Sequence, residues 1–374
     1  MTPRRTGHAE PLRPAATAAV AVPRRAGEQA RPPRAERATR AVVRVLGRLP
    51  EAVQRLIAGR PVVIDGQRLF TEVQMVLRLL NAVPDSDFSR LPLGRARARI
   101  DAEARLFGGD WPLGFVEDIT LPTRGGTVPA RVYRSDPTRP SRGTVVYFHG
   151  GGWVVGSIDS ADSACRFIAA RSDVTVISVG YRLAPEHPFP AGVEDAVDAY
   201  RWVRSHPEWG TWVAVAGDSA GGNLSAAVCA ATLSDEAGPP DFQLLFFPVT
   251  DLSAKHRSYR LFSEGFFLTE RQMDWYRGHY LRDEADARDP LASPLLGELT
   301  GHPPAHVAVS GFDVLRDEGL AYAGKLAAAG VPVTTQLVEG HIHAFVNASG
   351  VGRESSRAFA ASVRALADAL PPPR

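Results

Sequence analysis

The pentapeptide Gly217-Asp218-Ser219-Ala220-Gly221 decides the fold. It ends an apolar run, 212–216, and opens a small-residue stretch, 222–231, that reads as a helix. A G-x-S-x-G sequence at a strand-to-helix junction is a nucleophile elbow. The serine sits in strained backbone geometry with its hydroxyl held out, and the flanking glycines are needed because side chains there would collide. Ser219 is therefore the candidate nucleophile. A second motif supports it. His149-Gly150-Gly151-Gly152-Trp153 follows the apolar run 144–148, and three successive glycines leave backbone N–H groups uncovered, as an oxyanion hole requires.

Outward from the elbow, apolar runs at 144–148, 174–179, 212–216, 242–249, 306–310 and 331–338 are each followed by a helix-like stretch. Buried strands alternating with amphipathic helices predict an α/β fold with a mostly parallel central sheet and helices on both faces. Upstream, 115–121 and 128–133 alternate in polarity around Gly125-Gly126, which predicts an antiparallel N-terminal edge. Pro190 is expected in the first turn of a helix carrying Val193, Val197, Tyr200 and Val203, and Gly330 is expected to close another. Phe359, Val363, Leu366 and Leu370 mark the last helix. Leu69, Val73, Val76, Leu77 and Leu80 recur at helical spacing, and a second, Arg-rich helix is expected over 93–106. Between 251 and 290 the β/α rhythm breaks around Phe262, Phe266, Phe267, Leu268, Met273, Trp275 and Tyr276, which predicts a lid.

The chain has 374 residues, 44% of them hydrophobic and 22% charged, enough to bury a large core in one domain. Its net charge of +2 is uneven, because residues 1–40 hold nine Arg against three Glu. The remaining body is mildly acidic, which argues against nucleic-acid binding. Residues 1–41, rich in Arg, Pro and Ala, are read as a flexible leader. The short apolar piece 15–22 precedes Arg24-Arg25 without a convincing cleavage site, so a cytoplasmic location is expected over export. No stretch has the length and apolarity of a membrane span. Cys165 and Cys229 are far apart with no C-x-x-C spacing, so neither a disulfide framework nor a zinc site is expected, and both should be small buried residues.

A serine hydroxyl needs a base to take its proton, and the base needs an acceptor on its far nitrogen. Along a chain with this kind of elbow, the acid and then the histidine follow the serine. Asp313, just past the run 306–310, stands where a parallel strand delivers side chains to its carboxyl end. Asp317 and Glu318 fall where the next helix begins, and acidic residues there answer the helix dipole. The run 331–338 feeds a loop carrying both His341 and His343, and position does not separate them. His149 is expected to brace the glycine loop. Asp218 either tunes the site or bonds nearby backbone. The ion pairs of the Pro-rich connection 181–190 are expected to be structural.

These residues carry a resemblance to the hormone-sensitive-lipase-like esterases, the bacterial type IV group of the α/β-hydrolase superfamily. The matching segments are HGGGW at 149–153, YRLAPEHPFPA at 181–191, GDSAGG at 217–222, SPL at 293–295, DVLRDEG at 313–319 and HAF at 343–345. The similarity runs from about residue 60 to the C-terminus, and Asp218 marks the GDSAG branch. The resemblance implies an α/β-hydrolase fold over 111–374 with a helical cap built from 42–110 and an insertion at about 251–290. It implies Ser219, Asp313 and His343 as the triad, selecting His343 over His341, with Ala344 where the family has glycine. It also implies oxyanion donors at the backbone N–H groups of Gly151, Gly152 and Ala220, and relatives of this kind often form homodimers. Trp153, Phe266, Phe267 and Trp275 are the expected substrate-pocket residues.

The expectation is a serine carboxylesterase for small-molecule esters with short to medium acyl chains, working through an acyl-enzyme without cofactor or metal. An amide, carbamate or lactone hydrolase on the same triad is the alternative. A non-catalytic receptor of the same fold is the rival from another class, but such receptors lose the histidine that is present here as His343.

Overall fold

The computed structural model describes residues 34–82, 87–209 and 211–372. In chain order the elements are α1 (Arg34–Arg48), α2 (Glu51–Ala58), β1 (Val63–Ile64), β2 (Gln67–Arg68), α3 (Thr71–Asn81), α4 (Leu93–Phe107), β3 (Phe115–Thr123), β4 (Gly126–Arg134), β5 (Thr144–Phe148) and α5 (Ile158–Ser172). They continue with β6 (Thr175–Val179), α6 (Ala191–Arg204), β7 (Val213–Asp218), α7 (Ala220–Ala231), β8 (Phe242–Phe246), α8 (Arg257–Leu261) and α9 (Glu270–Tyr280). The last are β9 (Ala305–Phe312), α10 (Arg316–Ala328), β10 (Val333–Ile342) and α11 (Arg353–Ala369).

Eight strands form one sheet in the order β10-β9-β8-β7-β5-β6-β4-β3. The strands from β5 to β10 run parallel, while β4 is antiparallel to both β6 and β3. The sequence predicts this arrangement because β5, β6, β7 and β8 are buried on both faces, so their runs are apolar without alternation. The strand period of two then sorts side chains between two cores. Val146, Val213 and Val215 face α6 and α7, whereas Val145, Ala214 and Ala216 face α5 and α11. Leu245, Val307 and Val309 pack on α10. Cys165 and Cys229 are both fully buried in these cores, as the reading of them as small buried residues expects.

Several elements differ from the sequence reading. Helix α1 starts at Arg34, so the expected leader 1–41 gives way to helix within its last eight residues, and residues 1–33 lie outside the described residues. Arg40 and Arg44 both reach Asp110 at 2.7 Å, which fixes α1 to the segment after α4. The predicted strand 242–249 stops at Phe246, because Phe247 turns into positive φ. The predicted strand 331–338 instead continues to Ile342 through an irregularity after Val338. Pro190 is the N-cap of α6 rather than a first-turn residue, and its carbonyl accepts from the Glu194 N–H at 3.0 Å. Gly330 does close α10, at φ 82°, with the Val331 N–H returning to the Leu326 carbonyl. Among the described residues no helix is long and apolar enough to cross a membrane.

Two glycines separate conformational need from tolerance. A Cβ on Gly221 would collide with the Phe148 carbonyl, whereas one on Gly324, inside α10, would meet open space. In thermal denaturation Gly221→Ala is expected to lower stability by several kcal/mol through a backbone clash, on the order of 3. Gly324→Ala is expected to raise it by roughly 0.5–1 kcal/mol, since alanine restricts the unfolded chain and favours helix.

Candidate active site

Strand β7 ends at Asp218 and α7 starts at Ala220, so Ser219 makes the whole turn, at φ 56° and ψ −117°. A non-glycine residue at positive φ costs about 1–2 kcal/mol and persists only where its surroundings enforce it. Here the Ser219 N–H donates to the Phe246 carbonyl at 2.9 Å, and the Ser219 carbonyl accepts from the Asn223 N–H at 3.1 Å. Asn223 Nδ2 donates in turn to the Val249 and Ala292 carbonyls. A Cβ on Gly217 would strike the backbone of Gly221, so the two glycines of the motif are needed against each other.

The glycine loop after β5 has three successive left-handed residues: Gly151 at φ 113°, Gly152 at 57° and Trp153 at 62°. A Cβ on Gly151 would enter the Val155 carbonyl, and one on Gly152 would enter the Tyr276 ring. Among the described residues, no hydrogen bond uses the Gly151 or Gly152 N–H. The Ala220 N–H belongs to the first turn of α7, whose donors have no partner inside the helix. The three N–H groups named from sequence are thus free of secondary-structure partners.

His149 sits where the sequence reading put it. Its ring stacks on Tyr181 with centroids 4.4 Å apart, and its Nδ1–H donates to the Gly150 carbonyl at 2.7 Å. The Tyr181 hydroxyl donates to the His149 carbonyl at 2.9 Å. Burial holds the His149 imidazole down at about 4, so it is neutral near pH 7. Asp218 resolves in favour of backbone bonding. One carboxylate oxygen accepts from the Tyr147 hydroxyl at 2.7 Å and from the Gly150 N–H at 3.1 Å, tying the glycine loop to the elbow. Burial pushes the Asp218 carboxyl up, opposed by the Tyr147 hydrogen bond and the nearby His343.

Asp313 immediately follows β9 and His343 immediately follows β10. His343 Nδ1–H donates to Asp313 Oδ2 at 2.7 Å, and the Leu315 N–H donates to the other carboxylate oxygen at 3.0 Å. This fixes the tautomer that leaves the lone pair on Nε2. The His343 ring lies 4.4 Å from Phe247, the neighbour of the residue that anchors the Ser219 backbone, so both groups border the end of β8. His341 is engaged elsewhere, with Nε2 2.8 Å from the Ser355 hydroxyl, and burial lowers it to about 4. Asp317 accepts from the Ser258 N–H and pairs with Arg316. Glu318 is fully buried and accepts from the Thr250 and Asp251 N–H groups. Ala344 adopts φ 70°, a left-handed conformation that explains why glycine suits this position.

The four expected pocket aromatics separate in the structure. Trp153 is 1% exposed and stacked on Tyr280 at 4.1 Å, which makes it packing for the loop rather than an open pocket wall. Phe266 packs on Phe262 and Phe312, and Trp275 on Phe88, Tyr276 and His279. Phe267, at φ 76°, is 39% exposed. Tyr276 of α9, whose ring covers Gly152, contacts the glycine loop as Tyr280 does through Trp153, and the sequence reading left it out of the pocket. Cavities of about 370 Å³ beside His149 and Tyr181 and about 260 Å³ between α9 and residues 251–255 adjoin the glycine loop and α9. Phe247 was also missed. Tyr147, whose hydroxyl interrupts the buried apolar stretch 145–148, was the available sign that a polar partner such as Asp218 lay opposite.

Comparison with known proteins agrees with this architecture. A family model described as alpha/beta hydrolase fold matches residues 145–347. The carboxylic ester hydrolase LipN of Mycobacterium tuberculosis is 42% identical over 84% of this chain and 87% of its own length. The ethyl acetate hydrolase of Pseudomonas putida is 36% identical over 74% of this chain and 90% of its own. Among solved structures, the hyperthermophilic esterase of Pyrobaculum calidifontis superposes with a TM-score of 0.73 at 36% identity, covering 80% of this chain and 99% of that one. The chain belongs to the α/β-hydrolase family, in its hormone-sensitive-lipase-like group of esterases.

Two outcomes follow for the loop contacts. Asp218→Ala leaves two buried donors unpaired, and its turnover of a p-nitrophenyl ester is expected to fall by roughly 10- to 100-fold in kcat with little change in KM; Asp218→Asn, which keeps an acceptor oxygen, restores most of it. His149 and His341 have folded values near 4, below the usual 6.5 of a free histidine, so each contributes stability at neutral pH that drains away as pH falls from about 6.5 towards 4. The raised Asp218 and Glu318 carboxyls act in the opposite sense at low pH. His341→Gln should therefore flatten the loss of stability over that window by up to about 3 kcal/mol, measured by urea unfolding at a series of pH values.

Proposed function

We propose that this protein is a serine carboxylesterase in which Ser219 is the nucleophile, His343 the general base and acid, and Asp313 the residue that orients the imidazole. The observation that carries the reading is the 2.7 Å bond from His343 Nδ1–H to the buried Asp313, with Ser219 held at positive φ at the carboxyl end of β7 in the same parallel sheet. In this scheme His343 Nε2 takes the Ser219 proton as Oγ attacks the ester carbonyl. The oxyanion of the tetrahedral intermediate accepts hydrogen bonds from the N–H groups of Gly151, Gly152 and Ala220. His343 then protonates the departing alkoxide, leaving an acyl-enzyme. It next takes a proton from water as the water attacks the acyl carbon, and when the acyl–Oγ bond breaks the carboxylic acid departs and His343 returns the proton to Ser219.

Aromatic packing of the lid against the loop supports small acyl groups. Tyr276 lies on Gly152, and Phe88 and Trp275 close in behind it. Relatives named for ethyl acetate and aryl esters point the same way. Short to medium acyl chains are the preferred class, and esters rather than amides the preferred bond. The two buried, unpaired cysteines fit a reducing compartment, so the cytoplasm is the proposed location.

Ser219→Ala is expected to reduce p-nitrophenyl acetate turnover by at least about 10⁴-fold with the fold intact by circular dichroism. Retention of most activity would remove Ser219 from the reaction. Across p-nitrophenyl esters from acetate to palmitate, kcat/KM is expected to peak at short to medium length and fall for the longest chain. Matched ester and anilide substrates check the bond, with the ester hydrolysed faster.

A further inference from the structure

Charge and exposed apolar surface coincide at the N-terminal end of the cap. Residues 1–60 carry thirteen arginines, no lysine and four glutamates, whereas the remaining 314 residues carry 30 basic and 37 acidic side chains. Of the eight large hydrophobic side chains exposed among the described residues, six lie between residues 42 and 79. On α1 the face carrying Arg40, Arg44 and Gly47 turns inward, to Asp110 and the Val351 backbone. The opposite arc exposes Val42 at 58% and Val45 at 61%, flanked by exposed Arg37 and Arg48. Helix α2 repeats the pattern. Gln54 faces inward and bonds the Gly47 carbonyl, while Leu56 is 84% exposed between Arg55, which pairs with Glu51 at 2.7 Å, and the exposed Arg60 further along.

We infer that the outer face of α1 and α2 docks on an anionic lipid surface, with Val42, Val45 and Leu56 entering the interface and the exposed Arg37, Arg48 and Arg60 meeting headgroup phosphates. Helices that lie in an interface show this combination: a narrow apolar stripe within an Arg-rich polar face, bound more tightly where the lipid is anionic. Charge rejects the other occupants. The segment 1–33 is itself Arg-rich, with six arginines against two glutamates, so it is repelled by this face. A second copy docked through the same surface would oppose like charges. A nucleic acid would leave the apolar side chains without a function. The inference does not depend on the hydrolytic reading, because its readout is binding.

The full-length chain is to be sedimented with vesicles of phosphatidylcholine alone and with vesicles that also contain phosphatidylglycerol. At least about tenfold tighter association with the anionic vesicles is expected, weakening as salt is raised. The variant Val42→Glu/Val45→Glu/Leu56→Glu is expected to lose it while keeping its melting temperature. Should that variant not fold, Arg37→Gln/Arg48→Gln/Arg60→Gln must show weaker binding and a shallower salt dependence. Equal or absent sedimentation with both vesicle types would overturn the inference. So would undiminished binding by the variants, which would assign the contact to residues 1–33. A dimer in light scattering that the variants dissociate would mean that a second copy covers the face.

Discussion

The first turn of α7 comes so close to the end of β5 that no side chain fits between them, and the rest of the site depends on that approach. Gly221 makes it possible, lying against the Phe148 carbonyl. Because helix and strand end meet there, Ser219 is forced into its left-handed turn at the same place where the glycine loop begins. Asp218 then joins the two segments by accepting from the Gly150 N–H and the Tyr147 hydroxyl. The carboxylate thus couples the position of the proposed nucleophile to that of the proposed oxyanion donors, and a displacement of either would be felt by both.

Three histidines surround this region, and their surroundings distinguish them. His149 and His341 are buried against neutral partners, a backbone carbonyl and a serine hydroxyl, and desolvation keeps both near 4. His343 alone of the three has a carboxylate on Nδ1. An imidazole that must carry a proton in transit needs that partner, while one that only holds a loop in place must stay neutral. Environment rather than residue type divides the roles.

Much of this was readable in the sequence, for identifiable reasons. Strands buried on both faces leave unbroken apolar runs, and the elbow and glycine loop leave glycines where nothing else fits. The place of Asp313 was legible because parallel strands deliver their side chains at one end of the sheet. Choosing His343 over His341 was not, since two positions on one irregular strand end differ only in three-dimensional partners, and the family resemblance made the choice. The start of α1 at Arg34 was missed because residues 34–41 are Arg- and Ala-rich and carry no apolar period of their own. The extension of β10 to Ile342 was hidden by the irregularity after Val338. The burial of Trp153 was not legible because the sequence does not reveal that Tyr280 will stack on it.

The central claim is that the hydroxyl at 219 is activated by the imidazole at 343. Its most direct test is phosphorylation by diethyl p-nitrophenyl phosphate, followed by intact-mass and peptide mass spectrometry in the native chain and in His343→Gln. The account predicts a single diethylphosphoryl group on Ser219, formed at a rate that falls at least about 10³-fold in the variant. An adduct on another residue, or a rate on Ser219 that is indifferent to the loss of the imidazole, would contradict it.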